Sequence, residues 1–265
     1  MQFETLKIEI SKAVGTLTLN RPDRLNALSP LVLRELAAAA HWFDEQDNVR
    51  VVIIRGEGRA FSAGADLKEP MAKSLETGDW AQRRERGQLG RRMAEAIERM
   101  QAVTIAQVHG YAIGGGLVLM LACDLRVVAE DTVFSIPEVD LGIPLAWGGI
   151  PRLVREIGSA MTKELVMTCR RFSPQEAKSL GIINRVVPVN ALAEIAQSLA
   201  DDLAAKPSVP VIITKEHVNA VATAMGSGLT SFGDGDALVG IVKEAESAQA
   251  AQDYRAKTVA KKKSG

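Results

Sequence analysis

With 265 residues the chain has room for one large domain or two small ones and for a substantial buried core. Hydrophobic residues make up 47% and charged residues 24%, ordinary values for a soluble protein that exclude a disordered or fibrous chain. Lys plus Arg and Asp plus Glu number 32 each and aromatics are 4%, so neither an overall field nor a stacking platform recruits nucleic acid, and nothing draws the chain to an anionic membrane.

The opening stretch MQFETLKIEISKAVGTLTLN lacks a basic segment followed by an apolar run, so it does not read as a signal peptide. Residues 111 to 123 come nearest to a membrane span and fall short of the ~18 apolar residues one needs. Cys123 and Cys169 suit packing positions in a reduced intracellular protein, and a cytoplasmic location is the expectation.

In chain order, residues 5–10 and 14–20 alternate about a short break and predict a hairpin, and NRPDRLNALS leads into a helix over 31–44. The short β-branched run VVIIRG at 51–56 predicts a buried strand that opens into the loop GRAFSAGADLKE. A long helix is expected over 79–102, a strand over 104–110, a glycine turn with an apolar helix over IGGGLVLMLACD, and a strand over 124–130. FSIPEVDLGIPLAWGG reads as a loop, and 151–182 and 190–225 as helical around NRVVP at 184–188. The predicted class is α/β, with a core over 1–190 and a helical region over 191–265 that completes the same functional unit.

Two turns carry the chemistry: Ser62-Ala63-Gly64-Ala65-Asp66 after one strand, and Gly114-Gly115-Gly116 after another. Small residues let a ligand approach main-chain N–H groups, and the second turn opens a helix whose first amides are free and partly positive. Together they predict an oxyanion hole. Neither GxGxxG nor GxxxxGK[ST] occurs, which argues against a nucleotide phosphate cradle. No His, Cys and carboxylate grouping has metal-ligand spacing, so neither a metal nor a redox cofactor is expected.

The segments LTLNRPDRLNALS, AFSAGADLKE, VHGYAIGGGLVLMLACDLRVVAE and FSIPEVDLGI resemble, in order and spacing, the crotonase superfamily of enoyl-CoA hydratases and isomerases. The resemblance spans nearly the whole chain. It implies a spiral of ββα units with a mainly helical C-terminal region, assembled as a homotrimer or a homohexamer. It also implies an acyl-CoA substrate, CoA itself being part of that substrate, and oxyanion donors on Ala65 and Gly115 beside Gly114. CoA contacts would come from Arg24, Leu25 and Ala27 and from Ala63, Ala65, Asp66 and Leu67.

Glu138 matches one of the two catalytic glutamates of the hydratases. A pocket of Ile136, Val139, Ile143 and Trp147 would raise its pKa toward neutrality. Val118 stands where the hydratases carry the second glutamate, and Asp140 is the nearest other carboxylate in sequence. One carboxylate suffices to move a double bond from the 3,4 to the 2,3 position, so the pattern favours isomerisation over hydration. A non-catalytic acyl-CoA-binding protein and a thioester hydrolase or decarboxylase are the rival readings.

His41, His109 and His217 read as structural, and Met93, Met100, Met120 and Met167 as core fillers. The arginines at 83, 84, 86, 91, 92 and 99 read as a solvated face laced with Glu85, Glu95 and Glu98. The tail from Lys257 to Lys263 reads as a frayed basic end. Pocket depth is expected to depend on the loops at 68–80 and 143–150.

Overall fold

The computed structural model describes residues 2–68, 75–225, 233–241 and 244–263. The expected hairpin is formed by β1 (Leu6–Ser11) and β2 (Val14–Leu19), paired antiparallel. It starts a six-stranded sheet that continues in parallel through β3 (Val51–Gly56), β4 (Val103–Val108), β6 (Leu125–Ala129) and β8 (Arg185–Val187). The four residues Val51 to Ile54 are all buried, as a parallel strand covered on both faces requires.

One face of this sheet is covered by α1 (Pro30–Asp44) packed against α3 (Leu89–Glu98). Helix α1 starts where Ser29 Oγ accepts from Val32 N at 3.4 Å and Pro30 takes the first position, a side-chain cap followed by a residue with no N–H to satisfy. Its Leu33, Leu36, Ala40 and Phe43 recur at helical spacing and join Met93 and Ile97 of α3 in the larger core cluster. The other face is covered by α7 (Leu192–Ala204), whose Leu192, Ala196 and Ala200 meet Val51, Ile53, Ile105 and Val127.

A second sheet, β5 (Tyr111–Ile113) with β7 (Val133–Ser135), stands beside the first. The expected strand over 104–110 ends earlier, at Val108, and Gly110 (φ 63) turns the chain into β5. A Cβ at Gly110 would meet the backbone of Arg59 and Ala60, so this corner needs glycine. Three-residue strands are too short to display an alternation, and their existence depends on pairing that only the fold supplies.

Three long helical predictions divide, that over 190–225 at residues 205–207, between α7 and a later helix over 208–225. The 79–102 stretch forms α2 (Trp80–Gly87), with a capping box between Asp79 and Gln82, and then α3, with the N–H of Gln88 shared between Arg84 O and Glu85 O at the junction. The 151–182 stretch forms α5 (Gly149–Thr168), broken at Gly158 (φ 73, ψ 171), and a separate short α6 (Pro174–Ser179). Between α3 and α5 lies α4 (Gly115–Ala122), every residue of which is buried. The C-terminal third adds α8 (Ser208–Met225), α9 (Asp234–Ile241) and α10 (Ala245–Lys263). The basic tail therefore extends a helix to Lys263, and its side chains from 259 on lie outside the described residues. Met167, expected in the core, is 66% exposed, whereas Met93, Met100 and Met120 are buried as expected.

Arg126 ties the sheet to α4. Its buried guanidinium donates to Met120 O (3.3 Å), Leu121 O (3.0 Å), Cys123 O (3.1 Å) and Ile182 O (3.2 Å), and pairs with Glu156 at 3.4 Å. A cation thus satisfies the last carbonyls of the helix whose other end forms the site.

Candidate active site

The two glycine turns interlock. Ile113 N donates to Ser62 O at 3.1 Å, and Ser62 Oγ accepts from Gly64 N at 3.2 Å while donating to Asn26 O at 2.9 Å. A Cβ on Gly64 would lie 2.5 Å from Ile113 O, and one on Gly116 2.7 Å from Ser62 O. Only glycine allows the chains to approach this closely.

Leu28 bonds to both neighbours of Ala65, accepting from Asp66 N at 3.2 Å and donating to Gly64 O at 2.8 Å. In this parallel bridge the N–H of Ala65 points to the opposite side. Gly115 opens α4, so its N–H has no partner within the helix. Among the described residues neither amide makes a hydrogen bond. The two turns hold them close, since the Cβ position of Gly64 is 3.4 Å from Gly115 N.

Glu138 follows β7 in a compact turn, with its carbonyl accepting from Leu141 N and Ile143 N, both at 3.0 Å. Its carboxylate stands over Gly114 so closely that a methyl group there would collide with Oε1. The side chain is buried, and Oε2 has no hydrogen-bond partner among the described residues. Burial pushes its pKa up to about 7, against a small opposing effect from a backbone hydrogen bond. Desolvation without a neighbouring cation is the cause, because it disfavours the charged form.

The carboxylate faces a cavity of about 90 Å³ lined by Ala65, Gly115, Val118, Ile143, Trp147 and Leu238, with Leu75 and residues 144–146 completing the wall. Ile143 and Trp147 occupy the places expected of them. Ile136 is instead packed in the core and Val139 is 45% exposed, because the turn that carries Glu138 redirects the side chains on either side of it. Asp140 is exposed and absent from the cavity wall, so no second carboxylate stands opposite Glu138 among the described residues. Val118 offers a methyl surface there. Of the loop at 68–80, residues 69–74 lie outside the described residues; the loop at 143–150 supplies Ile143 to Trp147 of the wall.

The two segments expected to hold CoA come together. Ala63 N donates to Leu25 O at 2.9 Å, and the Leu28 to Ala65 bridge runs alongside. Arg24 is exposed on the turn Pro22–Arg24, Leu67 is exposed, Ala27 is buried, and Leu25 and Ala63 are half-buried. Asp66 is buried and paired with Arg21 at 2.9 Å, while the same Arg21 nitrogen donates to Ala27 O at 2.6 Å. Arg21, not singled out from sequence, thus braces the strip. Its place in NRPDRLN was the available signal.

The α2 and α3 arginines divide between roles. Arg91 pairs with Glu95 at 2.5 Å and Arg92 pairs with Glu85, as a laced face should, whereas Arg84 reaches across to Asp236 of α9 at 2.9 Å. His109 meets Gly58 O at 2.8 Å. Cys123 is buried and its thiol is pushed up to about 12, chiefly by burial. Among the described residues no group of His, Cys, Asp and Glu could hold a metal ion, and no helix is long and apolar enough to cross a membrane.

Residues 9–258 match the family described as enoyl-CoA hydratase/isomerase. A probable enoyl-CoA hydratase, echA8, of Mycobacterium tuberculosis is 36% identical over 86% of this chain and 87% of its own length. The short-chain-enoyl-CoA hydratase of Clostridium acetobutylicum is 32% identical over 88% and 90%. A crystal structure of an enoyl-CoA hydratase subunit from Geobacillus kaustophilus superposes with a TM-score of 0.77 at 37% identity, covering 84% of each chain. The interlocked glycine turns and the buried glutamate thus lie in a chain that belongs to the enoyl-CoA hydratase/isomerase family of the crotonase superfamily.

Proposed function

We propose that the protein moves the double bond of a 3-enoyl-CoA to the 2,3 position, with Glu138 as its single proton carrier. The observation that carries this reading is one buried carboxylate, unpaired and facing apolar walls, beside two free main-chain amides. The thioester oxygen would sit between Ala65 N–H and Gly115 N–H. Those donors acidify the C2 proton, Glu138 removes it, and the negative charge spreads over a dienolate held by the same amides. Glu138 then returns the proton at C4. Each donor of this kind is worth about 3 to 4 kcal/mol in the transition state, and a carboxyl titrating near pH 7 is well matched to giving and taking a proton there.

The strip from Arg24 to Ala27 and from Ala63 to Leu67 would hold CoA, largely by main-chain contacts. No further cofactor enters the scheme. The relatives' names favour hydration as a second reading. Hydration of a 2-enoyl-CoA needs a water held and deprotonated at C3, and Val118 offers that water no acceptor.

The deciding experiment supplies purified protein with a 3-enoyl-CoA and, separately, a trans-2-enoyl-CoA, and follows the products by chromatography with mass detection. Conversion of the first with no change of mass supports isomerisation. A water adduct from the second, with the first untouched, overturns it in favour of hydration. Glu138→Gln is expected to abolish conversion while acyl-CoA affinity stays within a few-fold.

A further inference from the structure

The cavity in front of Glu138 ends on an indole that takes unusual structural effort to hold. Trp147 has φ 60 and is followed by Gly148 with φ 73, so two successive residues are left-handed. A bulky L residue rarely adopts that conformation and keeps it only when its surroundings enforce it. Three elements do so. Asp234 of α9 accepts from Gly148 N at 2.8 Å. Arg152 of α5 donates to Gly148 O at 3.1 Å and, at 3.4 Å, to Trp147 O. Glu98 of α3 holds Arg152 and also accepts from Arg155 at 2.9 Å.

The ring that this clamp positions slides between two glycines. A Cβ on Gly90 of α3 or on Gly115 of α4 would collide with it. The indole therefore lies directly against the residue whose amide faces the thioester oxygen in the reading above, and it closes the cavity together with Val118, Leu145 and Leu238. The space left is about 90 Å³, smaller than the roughly 150 Å³ apolar cavity that accommodates benzene. A chain of a few carbons fits, whereas a long one meets the ring.

We propose that Trp147 is the wall that restricts this site to short acyl groups, and that Asp234 and Arg152 are positioning residues that keep the wall in place. The inference rests on the acyl-CoA reading of the site. It concerns the wall formed by the 143–147 loop, Val118 of α4 and Leu238 of α9, with Ala65 the one residue of the CoA strip that reaches the cavity.

The test measures calorimetric binding of butyryl-CoA and decanoyl-CoA to the full chain. The expected result is that the unaltered protein prefers butyryl-CoA, and that Trp147→Ala gains about tenfold or more toward decanoyl-CoA, the order by which apolar pockets discriminate added methylenes. Trp147→Phe should shift the same way by less, and covers the case in which the alanine variant does not fold. Asp234→Ala should strengthen decanoyl-CoA binding with butyryl-CoA binding unchanged, whereas a purely structural loss would weaken both alike. Equal binding of the two lengths by the unaltered protein overturns this inference and leaves the acyl-CoA reading standing. Failure of the folded protein to bind either ligand overturns both.

Discussion

In the proposed reaction, Glu138 couples reactivity to stability with opposite signs. Its pKa is about 7 when folded and ordinarily 4.5, so between those values the folded protein keeps a proton that the unfolded chain has lost. The stability contributed by this group is therefore fully present below pH 4.5 and falls away as pH rises through about 7. Glu138→Gln should raise stability at pH 8 by an amount on the order of 3 kcal/mol, seen as a higher melting temperature, while isomerisation is lost. The base must be ionised to act, so kcat/KM for a 3-enoyl-CoA should rise with pH and level off above an apparent pKa near 7; a flat profile from pH 5 to 9 would remove Glu138 from the role. Gly114→Ala probes the placement of Glu138 together with the turn, because the new methyl would collide with the carboxylate and φ 48 strains any L residue there. We expect a fall in kcat of about a hundredfold with the pH midpoint little changed. At this scale much was legible: Glu138, Ala65, Gly114 and Gly115 converge because their motifs lie at strand ends. Ile136 and Val139 were misjudged because a turn decides which way each side chain of an extended segment faces.

Elements explain how the site is held in place. Helix α4 is apolar on every side, so its position is set by packing and by what satisfies its ends. Arg126 serves its C-terminal carbonyls, and Arg126→Met should destabilise the protein by about 3 kcal/mol or more, with specific activity of the remaining folded fraction unchanged. Denaturant titration combined with active-site counting would check both halves. Strands β1 to β4 were legible from alternation or β-branched runs, and α1 from the start signals in NRPDRLNALS and the Ala/Leu-rich stretch after them. Strands β5 and β7 were not, since three residues carry no period, and neither was the break at Gly158, where one glycine outweighs a helical pattern on both sides. Yet β5 and β7 are what bring Ser62, Gly114 and Glu138 onto one surface.

The whole molecule closes the cavity from its far end. Leu238 in α9 lines the pocket of Glu138, and Asp234 in the same helix clamps the Trp147 turn, although these lie some hundred residues beyond Glu138 in the chain. Leu238→Asn should admit water and draw the apparent pKa of Glu138 down by about one unit, read from the pH profile of kcat/KM. Nothing in the residues 233–241 taken alone announces this role, because it depends on a contact between distant segments. Val209 and Ile213, one turn apart on α8, are both exposed apolar side chains of the kind that a partner subunit covers. We propose self-association on that account, the homotrimer or homohexamer being what the family resemblance implies, and light scattering on the eluting protein would show its mass.

The interlocked turns have a consequence for how such a protein changes over time. The groups that would receive the thioester oxygen are peptide amides, present whatever side chain is encoded, and the glycines around them tolerate no replacement that keeps the turns in contact. Selection for a new reaction has little to vary there. It is left with positions such as 118, 138 and 147, where side chains face the same small space. A laboratory library confined to those three codons would sample chemistry and chain length while the oxyanion site is inherited intact by every member.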